Sequence, residues 1–191
     1  LNLTDANSRT ASVTAPSNGA VGTAAQRLCT YTNTIPTLYS ISGKVFKDTG
    51  APVPLGTGVN TGIANDALQN GSESALVSVA MKLTNCAGTT YATTSTDGAG
   101  QYSFDASLAS AGSVCVEEVN LTSYLSTGAN ASKSVFPDMT ATVVGGVSYT
   151  YNRASDRIQW TLVANTNYSN LNFADIPMGQ LNTNGSKTVN S

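Results

Sequence analysis

The side chains best suited to chemistry in this chain are three cysteines, a few carboxylates and many hydroxyls, and there is no histidine to activate any of them. Without histidine the chain lacks the commonest general base and the commonest transition-metal ligand. Ser, Thr and Tyr are abundant, yet neither a GxSxG nor an SxxK sequence occurs to make one a nucleophile. Glu117 and Glu118 are adjacent in an extended segment, so they point to opposite faces and cannot flank a substrate together. Gly145-Gly146 has no GxxxxGK[ST] around it and reads as a turn rather than a phosphate loop. The sequence therefore argues against an enzyme.

The cysteines are Cys29, Cys86 and Cys115. Cys86 and Cys115 each lie beside a predicted strand, and a disulfide between them fits an oxidising compartment. Cys29 is then left over in a polar stretch, where it is free or pairs with a neighbouring chain.

Only 10% of the residues are charged, against about 25% in an ordinary soluble domain. Thr, Ser, Asn, Ala and Gly take their place, as in secreted walls and fibres. A formal net charge of −2 gives no electrostatic footprint for nucleic acid or anionic lipid. No apolar run approaches the length of a membrane helix. The expected location is extracellular, at a cell surface.

Alternation positions these residues on strands. Strands are predicted over 38–47, 76–84, 89–96, 101–105, 113–119, 147–153, 157–163 and 170–176. Val77, Val79, Met81 and Leu83 are expected to share one face, as are Val114, Val116 and Glu118. Segment 48–74 is a Gly/Pro/Asn-rich excursion in which 63–70 has room for one helical turn. DGAG at 97–100 is a turn. Short strands at turn-punctuated spacing predict an all-β, Greek-key β-sandwich. The aromatics fit its core, with a carbohydrate-stacking face at Tyr149 and Tyr151 as a minor alternative. Residues 1–37 read as a polar N-terminal arm or linker, 38–177 as the sandwich and 178–191 as a C-terminal linker. An arm so polar buries too little to order alone, so its own domain or a neighbouring subunit must hold it. Sequons occur at Asn2, Asn70, Asn120, Asn130, Asn167 and Asn184.

The strings ISGKVFKDTG, NDALQNGSESALVSVAMKLTNC, TTSTDGAGQYSF and VCVEEVNLTSYLSTGA together resemble the SdrD B-like and Cna-B-like domains of bacterial surface proteins. The resemblance covers about residues 38–177 and implies a transthyretin-like (prealbumin-like) sandwich that repeats in adhesin and pilus stalks. In SdrD B-like relatives a loop after the first strand binds calcium, and the matching stretch here offers Asp48, Asn65, Asp66, Asn70 and Glu73. Calcium takes six to eight oxygens from such a loop. The inserted PVPLGTGVNTGI departs from the family pattern, and Asx-turn roles are the ordinary alternative. Cna-B-like relatives often carry a Lys–Asn isopeptide bond promoted by an acid. The residue types here are Lys44 or Lys47, Glu117 or Glu118, and Asn172, but Phe46 stands where the reactive Lys is expected. No isopeptide is therefore anticipated.

The reading is a non-catalytic structural module of a surface fibre or adhesin stalk, joined to copies of itself or to neighbouring modules, with head-to-tail polymerisation through the N-terminal arm. The alternative is an adhesin domain that recognises a glycan or host protein.

Overall fold

The computed structural model describes residues 8–14, 28–34, 37–50, 65–70, 73–108, 112–163 and 166–178. The chain divides into two units, Leu1–Thr37 and Leu38–Ser191.

In the first unit β1 (Ser8–Thr14) and β2 (Leu28–Thr34) pair antiparallel, from Ser8 opposite Thr34 to Thr14 opposite Leu28. On sequence alone, residues 1–37 read as a polar arm or linker that its own domain or a neighbouring subunit must hold.

The second unit is the sandwich. One sheet holds six strands in the order β10-β11-β12-β7-β4-β5, and the other holds five in the order β6-β3-β13-β8-β9. Their ranges are β3 Thr37–Lys47, β4 Ala80–Thr84, β5 Thr90–Ser95, β6 Gln101–Leu108, β7 Ser113–Val119 and β8 Tyr124–Ala131. They continue as β9 Ser134–Val135, β10 Ala141–Val144, β11 Val147–Asn152, β12 Arg157–Thr161 and β13 Leu171–Pro177. The chain crosses between the sheets repeatedly, so that β7 lies between β4 and β12, the connectivity of a Greek-key sandwich. The first strand of the sandwich, β3, pairs with the last, β13, in parallel: Val45, Phe46 and Lys47 stand opposite Phe173, Ala174 and Asp175.

The core follows the alternation. Tyr39, Ile41 and Val45 face inward from β3, Met81 and Leu83 from β4, Val114 and Val116 from β7, and Leu171 and Phe173 from β13. An aromatic run threads it, Phe136–Tyr149–Trp160–Tyr168–Tyr39, with ring centroids 5.5, 5.8, 5.1 and 6.4 Å apart. Tyr149 and Tyr151 are thus core residues rather than a sugar-stacking face. Gly43 is required where β3 meets β13, because a Cβ there would run into the Leu171 carbonyl and lie 2.8 Å from the Tyr102 hydroxyl. That hydroxyl donates to the same carbonyl at 2.6 Å. In the 97–100 turn Asp97 Oδ1 accepts from the amides of Ala99 and Gln101, both at 2.8 Å.

Three expectations need correction. Val77 is 48% exposed and does not share the face of Val79, Met81 and Leu83, because Ser78 takes φ +58° and breaks the alternation. Within 65–70 the backbone bends instead of forming a helical turn, since Asn65 and Ala67 both have φ +58°. Strands β8, β9 and β10 escaped the reading; β8 (YLSTGANA) is small and polar, yet it pairs with β13 along its length.

Cys86 and Cys115 form a disulfide with Cα atoms 5.2 Å apart, tying the turn after β4 to β7. Its 29-residue separation corresponds to about 3–4 kcal/mol of loop-closure stabilisation. The side chain of Cys29 and residues 179–191 lie outside the described residues.

Candidate functional site

Two acidic regions flank the junction of β3 and β13, and their chemistry differs. The first is the loop singled out by the resemblance. Asp48, buried at the end of β3, accepts from the amide of Asp66 at 3.2 Å and of Ala67 at 2.9 Å, and from the Thr127 hydroxyl at 2.6 Å. Glu73 accepts from the amides of Gly50 at 2.7 Å and Asn70 at 2.8 Å. Asp66 accepts from the amide of Leu68 at 2.9 Å and the Asn70 side-chain amide at 2.7 Å. Asn65, exposed, contributes its left-handed backbone and sends its amide to the Asp48 carbonyl at 3.3 Å. The five residues are therefore neighbours, but their carboxylate oxygens are turned onto the loop's own N–H groups, as in Asx-type turns. The loop in turn roofs the five-stranded sheet: Ala67 packs with Phe46 and Ala174, and accepts on its carbonyl from Asn130 Nδ2 at 2.6 Å. Burial raises the pKa values of Asp48 and Glu73, opposed by these donors.

The second region is the convergence of Glu118, Asp156 and Asp175, in which one oxygen from each carboxylate lies within 4.8 Å of the other two. Among the described residues this is the group of carboxylates that meets at one point. Three elements deliver it. Glu118 comes from the inward face of β7, in register with Val114 and Val116. Asp175 comes from the inward face of β13, two residues after Phe173 and beside a bulge in its pairing with β8. Asp156 sits between a short 3-10 turn (Arg153–Ser155) and β12 with φ +44°, and its carbonyl accepts from the Glu118 amide at 3.0 Å. The cluster thus joins the two sheets from inside.

All three side chains are nearly inaccessible, at 4%, 2% and 0% exposure respectively. One oxygen is well served: Asp156 Oδ1 accepts from the Tyr151 hydroxyl at 2.9 Å and the Ser126 hydroxyl at 3.1 Å. Both oxygens of Glu118 and both of Asp175 are buried with each other as their hydrogen-bond partner and no donor from outside the cluster, and Asp156 Oδ2 is buried beyond the reach of a well-aligned donor. Desolvation pushes Asp156 up to about 7, with the Asp175 charge adding to it. Desolvation also raises Glu118, with the Asp156 charge and a hydrogen bond to Asp175 adding to it; desolvation raises Asp175 too, opposed by that hydrogen bond with Glu118 and supported by the Asp48 charge. No lysine or arginine reaches the group: among the described residues Lys47 lies over the Tyr124 ring and Arg157 faces Glu117 at 4.0 Å.

The remaining candidates are dispersed. Lys44 and Asn172 meet on the outer face of the five-stranded sheet, where the Lys44 amide donates to Asn172 Oδ1 at 3.0 Å. Glu117 lies on the outer face of the other sheet, accepting from the Thr84 hydroxyl at 3.0 Å, so the isopeptide set is not assembled. Lys47 reaches Tyr124. The Asn130 sequon is buried at 2% exposure with its amide bonded, which closes it to modification in the folded state.

The sequence offered a signal for two members of the cluster. Glu118 alternates with two valines, and Asp175 alternates with Leu171 and Phe173, so each is an acid at a core position. Asp156 carried no signal, because its place depends on a turn.

No known family profile matches the chain, and no curated protein matches it. Among solved structures it is similar to the crystal structure of the shaft pilin SpaA from Lactobacillus rhamnosus GG, at 12% sequence identity and a TM-score of 0.36. The match covers 75% of this chain and 52% of that one, so the chain spans about half the pilin's length.

Proposed function

We propose that the sandwich is a non-catalytic structural module of an extracellular bacterial surface fibre or adhesin stalk, placed in series with neighbouring modules or copies of itself. The observation that carries this reading is the parallel pairing of β3 with β13. Because the two strands run in the same direction, the chain enters at one end of the sandwich and leaves at the other. Tension along the chain then loads the β3–β13 contacts together, in shear, instead of opening them one by one. Those contacts extend beyond the strand pairing, through the Ser42 amide to Tyr168 O at 2.8 Å and the Asp48 amide to Asp175 O at 2.8 Å. The disulfide shortens the chain that can be drawn out of the other sheet. A surface rich in Thr, Ser and Asn, the lack of histidine and a core that takes in most of the aromatics agree with a scaffold rather than a catalyst.

Single-molecule pulling tests this directly, since forced unfolding reads the unfolding barrier. Handles before β3 and after β13 are expected to give a high, single rupture force. Handles across the β10–β11 hairpin should give a much lower one. Equal forces in the two geometries would remove the shear argument and with it the series placement.

Polymerisation through residues 1–37 belongs to the same proposal. Deleting them should leave a folded sandwich that no longer forms filaments by electron microscopy. Filaments that persist would assign assembly to another surface.

A further inference from the structure

Glu118, Asp156 and Asp175 place three carboxylates in the interior with no lysine or arginine paired to them among the described residues, a condition a folded protein rarely leaves unrelieved. Two species can relieve it, a proton or a cation. One proton shared between Glu118 and Asp175 would serve those two residues and leave Asp156 Oδ2. A cation at the centre can engage all three residues at once, because one oxygen of each lies within 4.8 Å of the other two. The donor set is entirely oxygen, which selects a hard ion of the calcium class over zinc or copper. Asp156 is also held in place: Tyr151 and Ser126 donate to its Oδ1, and its Oδ2 is buried.

We propose that Glu118, Asp156 and Asp175 form a binding site for a hard divalent cation of the calcium class that clamps the two sheets together. This site is separate from the Asp48–Glu73 loop, whose carboxylates already serve the loop's own N–H groups. The clamp ties β7 and the turn before β12 to β13, the strand that carries the load in the proposed stalk.

Terbium luminescence on the full chain, freed of metal by unfolding and refolding in chelator, tests the site. Tyr151 is the built-in sensitiser, with its hydroxyl 2.9 Å from Asp156 Oδ1. Saturable sensitised emission that calcium displaces is expected, together with a Tm rise of about 5 °C in excess calcium. Glu118→Gln with Asp175→Asn should weaken terbium binding by about 100-fold or more while near-UV circular dichroism stays native. Asp66→Ala with Glu73→Gln should leave the emission unchanged. The proposal is overturned if the wild-type chain shows neither emission nor a calcium-dependent Tm. It is equally overturned if the loop variant abolishes binding and the triad variant does not. Should the triad variant fail to fold, the wild-type and loop-variant titrations decide alone.

Discussion

The Asp48–Glu73 loop and the Glu118–Asp156–Asp175 cluster hold three carboxylates each, yet they solve opposite problems. In the loop every acid faces N–H or O–H donors, so negative charge organises a segment too rich in glycine and asparagine to fold by apolar burial. In the cluster the acids face one another, and Glu118 and Asp175 find a hydrogen-bond partner only in each other. The lesson concerns donors rather than charge. A buried carboxylate stabilises when the fold supplies hydrogen-bond donors, and it costs stability when only other carboxylates surround it.

The contrast can be broken most strongly at Asp48. Asp48→Ala orphans the amides of Asp66 and Ala67 and the Thr127 hydroxyl at a buried site. A loss of about 3 kcal/mol is expected, read as a lowered denaturation midpoint at unchanged slope. A loss below about 1 kcal/mol would show that the loop does not depend on this carboxylate.

Removing charge from the cluster should act in the other direction. In chelator-treated protein, Glu118→Gln with Asp175→Asn is expected to raise stability by about 2 kcal/mol, because it relieves repulsion between buried acids. The same substitutions in excess calcium should lower it, and that reversal is the sharper measurement.

Acid should mimic the substitution on a smaller scale. Asp156, pushed up to about 7 in the folded state, ionises near the usual carboxylate range once unfolded. Its contribution is therefore complete at low pH and is lost as pH rises through 7. Glu118, Asp175 and the nearby Asp48 are raised too and act in the same sense, while Tyr151 and Tyr102 stay neutral because burial raises them further. Metal-free protein should gain about 1 kcal/mol between pH 8 and pH 6. A flat profile over that range would mean that the cluster is already charge-balanced.

How far these regions could be read in advance depended on whether a residue's place is set by its neighbours in sequence or by distant ones. Alternation revealed β3, β7, β12 and β13, because apolar and polar residues trade places every second position there. It failed at β8, where Gly128, Ala129, Asn130 and Ala131 are small enough to look like loop. Their smallness is a tertiary requirement, since a Cβ at Gly128 would come within 2.7 Å of the Ala67 Cβ. The loop acids were legible as a group because they are close in sequence. The cluster was not, since Glu118, Asp156 and Asp175 lie on three elements that only the strand order brings together. Alternation places Glu118 on one face with two valines, but that reading does not make the face the core one.

The mildest probe of the comparison is Asp66, the loop acid least committed to the interior. Its oxygens hold the Leu68 amide and the Asn70 side chain, both only part-buried, so water can replace it at either donor. Asp66→Ala should therefore cost about 1 kcal/mol, a third of the Asp48 effect, with no change in the pH profile assigned to the cluster. Asp48→Ala and Asp66→Ala share the segment 65–70, so their combination should cost less than the sum. Full additivity would mean that the two carboxylates hold the loop independently, and the account of one self-organised acidic loop would fail.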